Sequence, residues 1–284
     1  MKSSYLWLYA LGMVGLAMPS HAQTLYGATS GGQGELYILN PATGGVLQDV
    51  GALNDALGAN YSVTGLAYDQ LTGVLYGSTG GSSGHSLLTI DPATGLVTVV
   101  GSFNAGTATM TDLAFDPSGS LYGISSSGGA NLYSINTSSG QATIVGSSGF
   151  TFTEGGGLAI NSLGTFYSAP VPGEFGTYDP TTGAYTHIAA PGTPAGGGAY
   201  GALAFSGSTL FGDNLLPGSG GGGSHLVRID PTTGTVTDIG ASVTHLDALA
   251  VTPEPGTMAI LSVGGLLALF VVRRKRTAFE ARRC

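Results

Sequence analysis

Four residues have the types and spacing for chemistry: Asp112, Glu154, His245 and Asp247, each standing just ahead of, or within, a recurring Gly-Leu-Ala-like element. Carboxylates are hard oxygen donors, so this set, brought together, could hold a Ca²⁺ ion or a small polar ligand. A cation beside a positioned base could also activate water, which makes a lactonase-like hydrolase with a Ca²⁺-binding acidic mouth the alternative expectation. Against it, several equivalent positions in the other copies of the element are Gly or Ala, and the polar ones follow no pattern from copy to copy. The expectation is therefore a chain that is not an enzyme, with no catalytic residue, no metal and no cofactor, Ca²⁺ being the one ion these residues could take. His85, His187 and His225 fall in or near expected loops and lack metal-ligand spacing. No Gly-x-Ser-x-Gly elbow has partners, and the glycine runs at 196–198 and 218–223 lack the Lys-Ser/Thr of a phosphate loop.

The elements that must position these residues form an internal repeat. Its most regular part is Gly65-Leu66-Ala67-Tyr68-Asp69, then Asp112-Leu113-Ala114-Phe115-Asp116, Gly157-Leu158-Ala159, Ala202-Leu203-Ala204 and Ala248-Leu249-Ala250. A second part is Leu-Tyr-Gly-like, at Leu25, Leu75, Leu121, Phe166 and Leu210. A third is an alternating strand that runs into a turn such as Ile90-Asp91-Pro92-Ala93-Thr94-Gly95 or Ile229-Asp230-Pro231-Thr232-Thr233-Gly234. A fourth short strand closes each unit at Val50-Gly51, Val100-Gly101, Val145-Gly146, Ile188-Ala189 and Ile239-Gly240.

Four short strands in about 46 residues suit one propeller blade, and five copies predict an all-β, five-bladed propeller with four-stranded blades. In each turn the Asx side chain should accept from the backbone two residues on, Pro presets its own φ, and Gly takes the positive φ. Small residues suit the crowded innermost strand, and Tyr, Phe and Ile the widening gaps between blades. The chain starts with a Leu-Tyr-Gly strand and ends with a Gly-Leu-Ala-type strand, so Leu246 to Val251 should join the first blade, closing the propeller and removing its open edge. Asp112, Glu154, His245 and Asp247 would then line one mouth of the central channel.

Composition agrees. Glycine occupies 50 of 284 positions, charged residues are only 8%, and mean hydropathy is +0.28, which excludes a long helical protein and the charge-rich profile of disorder. The net charge of -8 is segregated: between Gln23 and Thr252 one arginine faces fourteen carboxylates, while the remaining basic residues sit at the two ends. So acidic a body repels nucleic acid and other polyanions, so no nucleic-acid partner is expected.

Residues 1–22 read as a signal peptide, with Lys2, an apolar stretch from Tyr5 to Met18, and Ser20-His21-Ala22 before a cut between Ala22 and Gln23. At the other end Pro253-Glu254-Pro255 precedes seventeen uncharged residues, 256–272, and then Arg273-Arg274-Lys275-Arg276 within a basic tail, 273–284. The apolar run predicts one short transmembrane helix with the tail in the cytoplasm. The domains are thus a signal peptide (1–22), an ectodomain (23–252) and a C-terminal segment (253–284).

The ordered set of Pro253, Glu254, Pro255, apolar span and basic tail resembles the PEP-CTERM sorting signal of Gram-negative bacteria. That resemblance implies export through the Sec translocon, a single-pass inner-membrane intermediate with a periplasmic ectodomain, and processing by exosortase. It further implies release or display at the cell surface or in the extracellular matrix, and a link to exopolysaccharide and biofilm. The body resembles NHL and YVTN-type propellers, through Gly-Leu-Ala-x-Asp, Leu-Tyr-Gly and Ile-Asp-Pro-x-Thr-Gly, a group of binding scaffolds and a minority of enzymes; the paired export signals without a catalytic constellation make the expectation a scaffold whose loops bind polysaccharide or another surface protein.

Overall fold

The computed structural model describes residues 23–252, apart from 81–83, 107, 127–128, 151–154, 195 and 216–222. Two compact units divide the chain, residues 1–22 with 254–284, and Gln23–Pro253; all that follows concerns the second.

Every regular element among the described residues is a strand, as the glycine content and the short alternating runs require. The first three are β1 (Leu25–Thr29), β2 (Glu35–Leu39) and β3 (Val46–Ala52). Next come β4 (Val63–Tyr68), β5 (Leu75–Thr79), β6 (Ser86–Ile90) and β7 (Val97–Ser102). Then follow β8 (Met110–Phe115), β9 (Leu121–Ser125), β10 (Asn131–Ile135) and β11 (Ala142–Ser147). A further set is β12 (Gly157–Ile160), β13 (Phe166–Ala169), β14 (Phe175–Tyr178) and β15 (Tyr185–Ala189). The last are β16 (Ala199–Ser206), β17 (Thr209–Leu215), β18 (Ser224–Ile229), β19 (Val236–Ala241) and β20 (Leu246–Val251).

They form five antiparallel four-stranded sheets: β20-β1-β2-β3 (blade 1), β4 to β7 (blade 2), β8 to β11 (blade 3), β12 to β15 (blade 4) and β16 to β19 (blade 5). The protein is an all-β, five-bladed propeller. Its core is five apolar clusters, one in each gap between neighbouring blades. Leu36, Leu66 and Leu75 fill the gap between blades 1 and 2, and Leu25, Ala202 and Leu249 that between blades 5 and 1. Rings meet edge-on across the gaps, Tyr122 with Phe166 at 4.7 Å and Tyr167 with Phe205 at 5.5 Å.

The five Asx turns form as expected. Oδ1 of Asn40, Asp91, Asn136, Asp179 and Asp230 accepts from the backbone N–H two residues on, at 2.7 to 2.9 Å. The closing glycines 44, 95, 140, 183 and 234 have φ between +67° and +78°. Each also seats on the outer strand of the preceding blade: a Cβ on Gly95 would lie 3.1 Å from Ala52 O, and one on Gly44 2.7 Å from Gly240 O. The glycine is thus required twice, by its backbone conformation and by the close approach of the next blade.

The expected architecture needs two corrections. β20 does pair with β1, Leu25 opposite Val251 and Ala28 opposite Ala248, but no sheet is closed. Pairing runs radially from axis to rim, so hydrogen bonding never circulates, and every sheet keeps an inner edge at the axis and an outer edge at the rim. Blades meet by side-chain packing instead. Second, among the described residues no helix is long and apolar enough to cross a membrane. The signal peptide, with Ala22, the Pro253-Glu254-Pro255 motif, the 256–272 span and the 273–284 tail lie outside the described residues, whereas Gln23 lies within them.

Candidate functional site

The site must be built from the inner strands, where each Gly-Leu-Ala element lies. One residue before the Leu stand Gly65, Asp112, Gly157, Ala202 and Ala248. Space there is short: a Cβ on Gly65 would lie 2.6 Å from Asp112 Cα, and one on Gly157 2.7 Å from Leu203 Cγ. Two residues before the Leu stand Thr64, Thr111, Gly156, Gly201 and Asp247. At Thr64, Thr111, Gly201 and Asp247 the pairing with the second strand slips in a β-bulge. Such a bulge re-aims the inserted side chain. Thr64 accordingly donates to Met110 O of the next blade at 2.7 Å, and Thr111 Oγ1 reaches Gly156 O at 3.2 Å.

Asp112 is fully buried. Its Oδ1 accepts from Leu113 N at 2.9 Å, and its Oδ2 from Leu158 N at 2.8 Å and Leu203 N at 3.0 Å. These amides belong to the inner strands of blades 3, 4 and 5, whose axial edges have no neighbouring strand. One carboxylate therefore ties three blades at the axis. Burial pushes its pKa well up, the three N–H donors pull it back, and Asp247 raises it further.

Asp247 is half-buried at the bulge of β20, and burial lifts its carboxyl to about 7, with the Ser30 hydroxyl opposing. His245 precedes it with φ +60°, its carbonyl accepts from Ser30 N at 3.0 Å, and its ring fills the space a side chain at Gly31 would need. Glu154 lies outside the described residues. The structure thus places Asp247 close enough for Asp112 to feel its charge, with His245 two residues from Asp247. His187 and His225 lie on strands rather than in loops, each beside a carboxylate: His187 Nδ1 is 2.6 Å from Glu174 Oε2, and His225 Nδ1 3.0 Å from Asp238 Oδ1. His85 Nδ1 is 3.2 Å from Thr109 Oγ1.

The sequence reading misses Asp213. It lies on β17 opposite the Gly201-Ala202 bulge, is 0% exposed, and neither carboxylate oxygen has a hydrogen-bond partner. Burial pushes its pKa well up, the Ser224 hydroxyl beside it, which donates to Val243 O at 3.2 Å, draws it down, and Asp247 raises it further. The signal was legible in register: the residue after each Leu-Tyr-Gly-like triplet is Ala28, Ser78, Ile124, Ala169 and Asp213, so one blade carries an acid where the others carry small or apolar groups.

A second feature is a cavity of about 460 Å³ on blade 3, lined by Tyr122, Ser134, Asn136, Thr137, Gln141 and Thr143 among others. Its polar groups are hydroxyls and amides, with no charged side chain.

Comparison with known proteins gives two family matches. Residues 251–276 match the PEP-CTERM protein-sorting motif. Residues 59–214, from the loop before blade 2 into blade 5, match a family described as "Repeat of unknown function (DUF6923)". No curated protein matches the chain. Among solved structures, the Nidogen/Laminin complex contains a chain 14% identical, with TM-score 0.52, over 81% of this chain and 98% of that one, a likeness of fold alone. A protein of unknown function from Bacteroides caccae is also 14% identical, with TM-score 0.46, over 82% of this chain and 99% of that one. With its sorting motif and its five repeats, this is an exported, PEP-CTERM-tagged β-propeller, and with more than half its length matched the chain belongs to the DUF6923 repeat family.

Proposed function

We propose that this chain is a non-catalytic binding scaffold, processed by exosortase around Pro253-Glu254-Pro255 and displayed at the cell surface or in the matrix, where it holds a neutral exopolysaccharide of a biofilm. The observation that carries the reading is the continuity of propeller and sorting motif: the match opens at Val251, the last residue of β20, and β20 is the inner strand of blade 1. Thr252 N donates to Thr24 O at 3.0 Å, so the chain leaves the propeller from a fixed point.

Two further features support the molecular role. Asp112 spends its carboxylate on three backbone N–H groups, which suits a structural clasp better than a base. The blade 3 cavity offers the uncharged donors, acceptors and aromatic edge that a hydroxyl-rich glycan can use, and the acidic body disfavours a polyanionic one.

The test is expression in paired strains with and without exosortase, followed by cell fractionation and co-sedimentation with matrix polysaccharide. The expected result is surface or matrix recovery, with polysaccharide, only where exosortase is present. Equal retention in both strains, or recovery in the matrix without any polysaccharide association, would contradict it.

A further inference from the structure

We propose that Asp213 and Asp247, facing each other at Gly201 where blades 5 and 1 meet, form a binding site for a hard divalent cation, Ca²⁺ before Mg²⁺. The geometry centres on a missing side chain. The point that a Cβ on Gly201 would occupy is 2.5 Å from Asp247 Oδ1 and 3.3 Å from Asp213 Oδ2. Around the ring, the equivalent positions Thr64 and Thr111 carry side chains that bond the next blade; at Gly201 no side chain stands there, and the two carboxylates close around that point together with Leu215 Cδ1 at 3.3 Å.

Asp213 is the group that calls for an occupant. It is 0% exposed, both its oxygens lack a hydrogen-bond partner, and one is aimed at that space. A buried carboxylate in that state is costly unless something positive reaches it. At the equivalent position of blade 2, Ser78 donates its hydroxyl proton to Met110 O at 3.0 Å, whereas an ionised Asp213 has no proton to give. No side-chain cation serves instead: Arg228, the one Lys or Arg in residues 23–252, is exposed and lies over the Phe211 ring at 5.9 Å.

A divalent ion would neutralise both carboxylates at once. Asp112, the third carboxylate near the axis, is committed to its three N–H donors. Among the described residues no three or more His, Cys, Asp or Glu are grouped so that they could hold a metal ion, so the two carboxylates would be the only acidic ligands, with water or main-chain oxygen completing the shell. That favours Ca²⁺, which accepts six to eight oxygens in a flexible geometry, over Mg²⁺, which demands a near-ideal octahedron. Asp247, half-buried, supplies the side open to solvent.

The experiment is thermal unfolding of the purified full-length chain after chelator treatment, with Ca²⁺ or Mg²⁺ added to about 1 mM, the weak range of extracellular Ca²⁺ sites. The same scans are run on Asp213→Asn and Asp247→Asn. The expected result is a rise in Tm of roughly 3–8 °C with Ca²⁺, smaller with Mg²⁺, and lost in whichever variant folds. No shift in the parent chain, or a shift of the same size in either variant, would overturn the proposal. The first outcome would leave the pair sharing a proton, and the second would mark general screening of the acidic body.

Discussion

Replacing Asp112 by alanine removes an acceptor from three backbone N–H groups at once: Leu113 at 2.9 Å, Leu158 at 2.8 Å and Leu203 at 3.0 Å. A buried donor left without a partner costs about 1–3 kcal/mol. The low end applies, because removing a buried carboxyl relieves its own desolvation. About 1 kcal/mol for each amide gives a loss near 3 kcal/mol, against the ~5–15 kcal/mol that stabilises a typical domain. Asp112→Asn keeps one oxygen, enough for Leu158 and Leu203, but sets an NH₂ against Leu113 N–H, so it should cost roughly half as much. Urea unfolding followed by far-UV circular dichroism measures both. The reasoning fails if the alanine variant matches the parent within about 0.5 kcal/mol, or if asparagine is the more harmful change, since either result would make the carboxylate a burden at the axis rather than a clasp.

Stability should also depend on pH. The Asp247 carboxyl sits near 7 in the folded protein against 3.8 as its ordinary value, and Asp112 and Asp213 are raised too, so folding favours their protonated forms. In chelator, the Asp247 contribution is fully present below about pH 4 and lost as pH rises to about 7. The Asp247 share is at most about 4 kcal/mol, reduced by its partial exposure, and a Tm that is flat between pH 5 and 8, or one equally pH-dependent in Asp247→Asn, would contradict it. Asp55 and Asp179 are lowered by backbone N–H bonds, so stability should turn down again below about pH 4, seen as a maximum in the same scans. Gly140→Ala, at φ +78° and pressed on the Gly101 carbonyl, should cost at least about 1 kcal/mol more than Gly58→Ala, at φ +86° with nothing within 4 Å. Equal urea midpoints for the two would show that the blade does not bear on the turn.

The repeat made most of the fold legible. Each Asx turn announces itself because Asp or Asn, usually followed by Pro, and the closing Gly act locally, through one hydrogen bond and one positive φ. The pairing of Leu246–Val251 with β1 followed from strand order alone. What the spacing could not say is that pairing stays radial, since hydrogen bonding within a blade and packing between blades leave the same periodic mark. The site was less visible for the same reason. Asp112 and Asp247 stand near the Gly-Leu-Ala elements and draw notice there, but Asp213 follows a Leu-Phe-Gly triplet on the second strand. Only the bulge at Gly201 brings that strand's side chain to the axis, and a bulge has no fixed sequence signature.

The claim that the propeller is sorted and processed through the segment next to β20 is tested most directly by the intact mass of the protein recovered from exosortase-containing cells and from cells lacking it. The account predicts a C-terminus within residues 251–276 in the first case and an uncut C-terminal segment in the second. The same mass in both, with Arg273 to Cys284 still present, would contradict it.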